Sequence, residues 1–533
     1  MSQLSAYGWE QPQIDYETQA PAPSRALVEP TRRSILQPIL LIIPILLSGV
    51  SYFCGGLPVL TDFSFVALTI LCGIFLMTEL LRFSERFGIG GIILYGGVMV
   101  WFCYDYLTNW FMAWYPNWTA VYPALTVAKS SAALMLFVFF MSIGLRLRIG
   151  KWAPRLVAAL PEPRSSNVFF ALVIFTQIVG LFVPYSVFTS EPFFTAIFHA
   201  ITSDRGGIGT AFTVGRTGNA NYSWGAYVAQ LIEFGGLGGV LAAYCAIMLR
   251  MGIIRKIICM FIWLLWLLIG FGTGTRGEIV FMMMPVVCFL FIRFNITARY
   301  YLKRFSLLGY VAAIASIFVA VALVQIEFRF RGMGYENLDI SDVSYTQLQG
   351  NHMFSEGLLG FELIPERHKY FYDDFAGETI LAPLPQFMYY LAVHPIPRAL
   401  WWNKPVDPCS SWYNDVYMGG SGDNGGKVEG VTISQGLAAC WFFRFGVAGL
   451  IEGGIFFGWL MGCTERTLLN SRGKTLPILA SLCMATWLFR CYRDVRFFDF
   501  YQFALGLLLL TLLVYPLSRG DRAGHAIIEH DPG

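Results

Sequence analysis

The sequence predicts an all-α polytopic membrane protein with about 12 transmembrane helices and one large extracytoplasmic loop. Three observations predict it. Hydrophobic residues make up 56% of the 533 positions and charged residues only 13%, a balance that suits a lipid-facing chain rather than a soluble core. The apolar residues fall in blocks of roughly 17–25, the length a helix needs to cross a bilayer, whereas barrel strands would need only ~10 residues of alternating polarity. Lysine and arginine gather in every second connection, as the positive-inside rule requires.

Residues 1–36 are polar and proline-containing and end in Thr31-Arg32-Arg33-Ser34. They read as a cytoplasmic disordered tail rather than a cleaved signal, so insertion falls to the first helix, 37–54. Spans 59–80 and 89–104 flank Arg82 and Arg86, and spans 127–145 and 167–188 flank Arg146, Arg148, Lys151, Arg155 and Arg164. Spans 224–248 and 257–272 flank Arg250, Arg255 and Lys256, and a short turn at Gly272–Gly277 leads into 277–292. Arg293, Arg299, Lys303 and Arg304 separate that helix from 305–325, closing a unit of nine spans over 37–325. A loop over 326–435 follows, then spans 440–463, 475–490 and 498–516 within 436–516, and a tail over 517–533. Arg466, Arg472 and Lys474, then Arg519 and Arg522, keep the basic alternation to the end. Both termini are thereby expected in the cytoplasm. The eleven cysteines are scattered mainly through the spans and read as small buried apolar residues, with no disulfide framework or zinc spacing. No internal repeat suggests two matched transporter halves.

A second set of cations falls where the positive-inside rule disfavours them. It comprises Arg205, Arg216, Arg276, Arg329, Arg331, Arg367, Arg398, Lys404, Arg444, Arg490, Arg493 and Arg496. Arginine costs up to about 2.5–3.5 kcal/mol when forced toward the bilayer centre, so it is kept where it pairs or faces a wet cavity. Singly, each has a plainer role: Arg276 beside Glu278, Arg493 beside Asp494 or Asp499, Arg331 snorkelling to headgroups. Collectively they converge on one face, and guanidinium is the preferred fork for phosphate oxygens. A lipid-linked diphosphate is the natural polyanion there.

The loop carries Glu356, Glu362, Glu366, Asp373, Asp374, Glu378 and Glu429, with His352, His368 and His394. Its aromatic and proline content, as in Trp401-Trp402-Asn403-Lys404-Pro405, suits a folded lid on the membrane surface. Interfacial anchoring explains such aromatics, and sugar stacking is the sharper alternative. Asp373-Asp374 is weak ground for a metal, and no cofactor is expected. No Walker loop, zinc motif or nucleophile elbow is present in the sequence.

Three patches resemble the O-antigen polymerase and ligase superfamily, the Wzy-type polysaccharide polymerases in particular. They are Gly215-Arg216-Thr217-Gly218-Asn219-Ala220-Asn221, Thr273-Gly274-Thr275-Arg276-Gly277, and His394-Pro395-Ile396-Pro397-Arg398-Ala399-Leu400-Trp401-Trp402-Asn403-Lys404-Pro405. Phe443-Arg444-Phe445-Gly446-Val447-Ala448-Gly449-Leu450 is similar to the family's Phe-Gly-x-x-Gly element, and the likeness covers roughly residues 200–465. The histidine that ligases carry before that element is absent from Glu429-Gly430-Val431-Thr432-Ile433-Ser434-Gln435, which favours polymerase over ligase.

The resemblance implies a GT-C-like polymerase/ligase architecture in the bacterial cytoplasmic membrane. It also implies transfer of a glycan from undecaprenyl diphosphate to a lipid-linked repeat unit, as in O-antigen or exopolysaccharide biosynthesis. Arg216, Arg276 and Arg331 are the first candidates for the diphosphate clamp, with Arg329, Arg398 and Arg444 second; His352, Glu356, His394 and Glu429 are candidate bases. The expected partners are undecaprenyl-diphosphate-linked oligosaccharides, the bilayer and a chain-length regulator, with no nucleic acid. The alternative is a transporter or flippase of a lipid-linked or acidic glycan, for which Glu79, Glu233 and Glu452 are the acids to watch. A third reading, a membrane acyltransferase, would look to His199.

Overall fold

A computed structural model describes residues 34–81, 88–103, 106–107, 123–150, 152–161, 166–187, 192–202, 225–272, 276–293, 383–393, 396, 400–401, 436–471, 474–492 and 497–518. The described residues form helices: α1 Leu36–Phe53, α2 Pro58–Leu81, α3 Ile89–Cys103, α4 Ala124–Gly144 and α5 Trp152–Ala158. They continue with α6 Ser166–Val187, α7 Phe193–Thr202, α8 Gly225–Met248, α9 Ile253–Gly272 and α10 Arg276–Arg293. The last are α11 Pro383–Val393, α12 Leu437–Asn470, α13 Thr475–Cys491 and α14 Phe497–Ser518. Seven segments within these helices are long and apolar enough to cross a membrane, and α3, α13 and the apolar part of α14 are shorter apolar helices. The chain is a helical, multi-pass membrane protein. The predicted span 305–325 and most of both tails, residues 1–33 and 519–533, lie outside the described residues.

Two groups of helices are joined by the last three. α4 packs along α12, with α1, α2 and α3 around them, while α6, α9 and α10 pack on α8. α13 touches α3, α10, α12 and α14, and α14 also packs on α8, which closes the bundle.

The α4–α12 seam follows from glycine spacing. A Cβ on Gly458 would lie 2.0 Å from the Met141 carbonyl oxygen, and one on Gly144 would lie 2.2 Å from that of Ile455. Gly454 and Gly462 meet Phe137 and Leu145 on the same stripe. Lipid tails offer helices no hydrophobic gain from pairing, so close backbone approach through small residues supplies the dispersion contact instead. A polar clamp ties the second group: the Trp266 indole N–H donates to Gln177 Oε1 at 2.6 Å, and Gln177 Nε2 donates to the Gly235 carbonyl at 3.3 Å.

Two helices differ from the sequence expectation. α9 begins at Ile253, before the predicted 257, and in its first turn Arg255 lays its guanidinium over the Phe170 ring at 5.6 Å and donates to Asn167. The predicted span 440–463 is displaced: the continuous apolar helix runs Phe445–Asn470, and the residues before it fold back.

Candidate functional site

The fold-back originates at Gly446, whose φ of 61° and ψ of −143° interrupt α12. Residues Leu437–Phe445 form a short arm, and the long arm continues to Asn470. Trp441 shows the reversal. Its carbonyl oxygen would lie 2.3 Å from a Cβ on Gly449, and its ring 2.4 Å from one on Gly453, so the short arm lies against the long one rather than extending it. The Trp441 ring is 1% exposed and packs on Phe387, Phe445 and Phe457 at centroid distances of 5.1, 5.7 and 6.1 Å.

Hydrogen bonds fix the arm's other end. The Leu437 N–H donates to the Tyr492 carbonyl at 3.1 Å, and the Tyr492 hydroxyl donates to the Leu94 carbonyl at 2.9 Å. The arm is thus anchored to the end of α13 and to α3.

α11 enters beside it. Phe387 and Tyr390, three residues apart on one face, are buried, whereas Met388 and Tyr389 are exposed. The Glu452 carboxylate accepts the Leu384 N–H at 3.1 Å, satisfying one of the free donors in the first turn of α11 and placing negative charge at the positive end of its dipole. The Tyr501 hydroxyl donates to the Leu391 carbonyl. α11 is therefore packed into α12 and α14. Of the segment expected to form a surface lid, this is the longest described part, and it is wedged among helices.

These contacts place several helix ends at one end of the bundle, here called the upper end. Phe281 of α10 stacks on Phe503 of α14 at 4.7 Å, and Thr486 of α13 donates to Met284, so the start of α10 stands beside the end of α13 and the start of α14. Arg276 is the first residue of α10, where free N–H groups and the helix dipole favour an anion. Arg444 stands in the short arm two residues before Gly446, and Arg490 lies in the last turn of α13. At the same end, burial and the Asp62 carboxylate hold the Tyr106 phenol well above its ordinary pKa, and it donates to Asp62 while stacking on Phe65 at 3.8 Å.

Arg276 and Arg444 are the two candidate residues whose backbone is described. Arg216, Arg329, Arg331, Arg398, His352, Glu356, His394 and Glu429 lie outside the described residues, as do Asp373 and Asp374. His199 lies in the last turn of α7. Glu79 is fully buried beside Gly88 and Gly91 at the opposite, lower end, where α2 finishes.

Sequence reasoning missed the reversal, the Glu452 cap and one covalent bond. Cys440 is buried, as expected of the cysteines, and is also disulfide-bonded, which the sequence spacing does not signal. Nine others are free: Cys54, exposed, and Cys72, Cys103, Cys245, Cys259, Cys288, Cys463, Cys483 and Cys491, all buried. No protein-family model, curated protein or solved structure matches the chain significantly.

Proposed function

We propose that this chain is a lipid-linked glycan polymerase, a glycosyltransferase of the Wzy type with twelve spans, both termini in the cytoplasm and the upper end outside the cytoplasmic membrane. One observation carries the reading: Arg276 and Arg444 stand on helix ends that share the upper end with two inserted helices, α11 and the short arm of α12. Irregular backbone at membrane depth is sustained where it is buried in protein or lines a polar cavity, so this end is the one assigned to a headgroup-sized polar substrate.

In the proposed reaction, the hydroxyl oxygen of one lipid-linked repeat unit attacks the anomeric carbon of a second glycan carried on undecaprenyl diphosphate. The new glycosidic C–O bond forms as the bond from anomeric carbon to diphosphate oxygen breaks, and the electron pair leaves on the diphosphate. The hydroxyl proton passes to a base, for which His352, Glu356, His394 and Glu429 are the candidates. Charge grows on the leaving diphosphate, so cations fixed in place before reaction stabilise the transition state more than the ground state. Arg216, Arg276 and Arg331 are assigned to that clamp, with Arg329, Arg398 and Arg444 supporting it. A polysaccharide chain-length regulator is the proposed protein partner.

The reversal at Gly446 also suits a transporter, since transport sites are commonly built from discontinuous helices. Two of that reading's acids are committed elsewhere: Glu452 caps α11, and Glu79 sits at the lower end of α2.

The deciding experiment reconstitutes the purified protein with undecaprenyl-diphosphate repeat units from its host and compares wild type with Arg276→Ala. The expected result is a ladder of polymer on a gel from wild type and at least a hundredfold less from the variant, about 2.7 kcal/mol of transition-state stabilisation. A folded wild-type protein that yields no ladder but moves the lipid-linked unit across the vesicle membrane would overturn polymerisation in favour of transport.

A further inference from the structure

Lys129 stands in the second turn of α4, within a segment long and apolar enough to cross the membrane, and the neighbouring Val127, Ala128, Ser130 and Ser131 are buried. Its own side chain is half-buried, and the ammonium lies over the Phe442 ring of the short arm, 5.7 Å from the centroid. No hydrogen bond or ion pair joins that ammonium to another described residue. Of the acids at the same end, Asp62 accepts from the Tyr106 hydroxyl and Glu452 from the Leu384 N–H.

The α4–α12 seam sets its level. Gly462 meets Leu145, Gly458 meets Met141 and Gly454 meets Phe137, so the two helices run parallel and advance in step. Two further steps of four residues toward the upper end bring Lys129 level with Gly446, where α12 reverses. The long arm starts there with Val447 and Ala448 exposed, and the first N–H groups of a helix have no acceptor within it. Charged side chains inside spanning segments are costly and are kept where they pair or face a polar path. A lysine near a helix end can instead snorkel along the membrane normal, but this ammonium is turned onto α12. We propose that Lys129 and the reversal of α12 form a binding site for the phosphate of a lipid headgroup, with the Phe442 ring placing the ammonium. That the headgroup belongs to a lipid-linked diphosphate rests on the polymerase reading; the phosphate site itself does not.

The test uses the full-length protein in micelles of a neutral detergent and measures, by thermophoresis, its binding of undecaprenyl diphosphate, phosphatidylglycerol and undecaprenol, the last having the polyprenyl tail without phosphate. Wild type should bind a phosphate-bearing lipid about tenfold or more tightly than undecaprenol. Lys129→Met should lose most of that preference, and Lys129→Arg, which keeps the charge, should retain it. Preference for undecaprenyl diphosphate alone identifies the lipid-linked source, and equal preference for phosphatidylglycerol identifies an ordinary phospholipid; its loss in Lys129→Met supports the site in both cases. If Lys129→Met does not fold, an amine-reactive ester on the wild type, read by peptide mass spectrometry, takes its place. Lys129 should then be labelled more slowly with a phosphate-bearing lipid present than with undecaprenol. A wild type without the preference, a Lys129→Met that binds as wild type does, or labelling indifferent to the phosphate overturns the site. A wild type that binds the diphosphate through Lys129 and makes no polymer overturns the polymerase reading alone.

Discussion

At Gly458 the absence of a side chain sets the distance between two helices. An added methyl would meet the Met141 carbonyl oxygen at 2.0 Å, well inside contact, so α4 and α12 would have to part. Gly458→Ala is expected to destabilise the protein by about 1–3 kcal/mol, the cost typical of overpacking, seen as a lower midpoint in thermal aggregation of detergent-solubilised protein. Gly49→Ala is the matched control: it lies inside α1 with nothing within 4 Å of the new methyl, and should leave the midpoint unchanged or slightly raised. A second residue-scale prediction concerns Gln177, which accepts the Trp266 N–H and donates to Gly235. Gln177→Leu strands a buried indole donor away from water and is expected to cost about 0.6–2 kcal/mol, read by the same assay; no change would mean that the indole finds another acceptor. The glycine-rich character of 446–462 is legible in the sequence, but the partner stripe on α4 is not. A GxxxG spacing announces a close approach without naming what approaches.

At the scale of elements, hydropathy located the helices well because bilayer thickness imposes length and apolarity directly: 59–80 corresponds to Pro58–Leu81, and 475–490 to Thr475–Cys491. It failed at 440–463 for a reason of principle. A windowed average carries no direction, so a short arm folded against a long one reads as one helix. The local signal was Gly446, a residue able to take the backbone angles that reverse the chain, with Gly449 and Gly453 downstream making room for Trp441. Angles near φ 61° and ψ −143° are accessible essentially to glycine alone. Gly446→Ala is therefore expected to cost about 1–3 kcal/mol and to loosen the arm, raising acrylamide quenching of the otherwise buried Trp441. Quenching unchanged from wild type would mean that the arm is held by its contacts rather than by the turn. The same blindness hid the Glu452 cap, since it joins α12 to chain 68 residues away in sequence. Most of the candidate site was legible only as residue types: of its ten named residues, Arg276 and Arg444 are the two whose helices can be traced, and their shared end follows from packing of α10, α13 and α14 that no local pattern encodes.

For the whole molecule, orientation decides whether the upper end can meet a lipid-linked glycan or a cytoplasmic nucleotide sugar. The lower end carries the basic clusters: Arg146 donates to Ser142 and Gln37, Arg466 donates to the Leu147 carbonyl at 3.0 Å, and Lys474 donates to the Ala158 carbonyl at 3.3 Å. Those cations are bound to the ends of the very helices they orient, so reversing the molecule would carry the whole set across the bilayer. Translocating arginines is costly, which makes one orientation dominant rather than a mixture. Alkaline phosphatase, active only outside the cytoplasm, and a fluorescent protein, which fluoresces only inside it, are the matching reporters. Fusion after residue 425 is expected to give phosphatase activity without fluorescence, and fusion after residue 520 the reverse. The two sites are separated by α12, α13 and α14, so opposite signals require an odd number of crossings between them. That outcome follows if the short arm of α12 turns back at Gly446 without reaching the other side. Equal signals at the two sites would mean that the arm crosses, and the upper end would then lose both its inserted helix and its claim to the substrate.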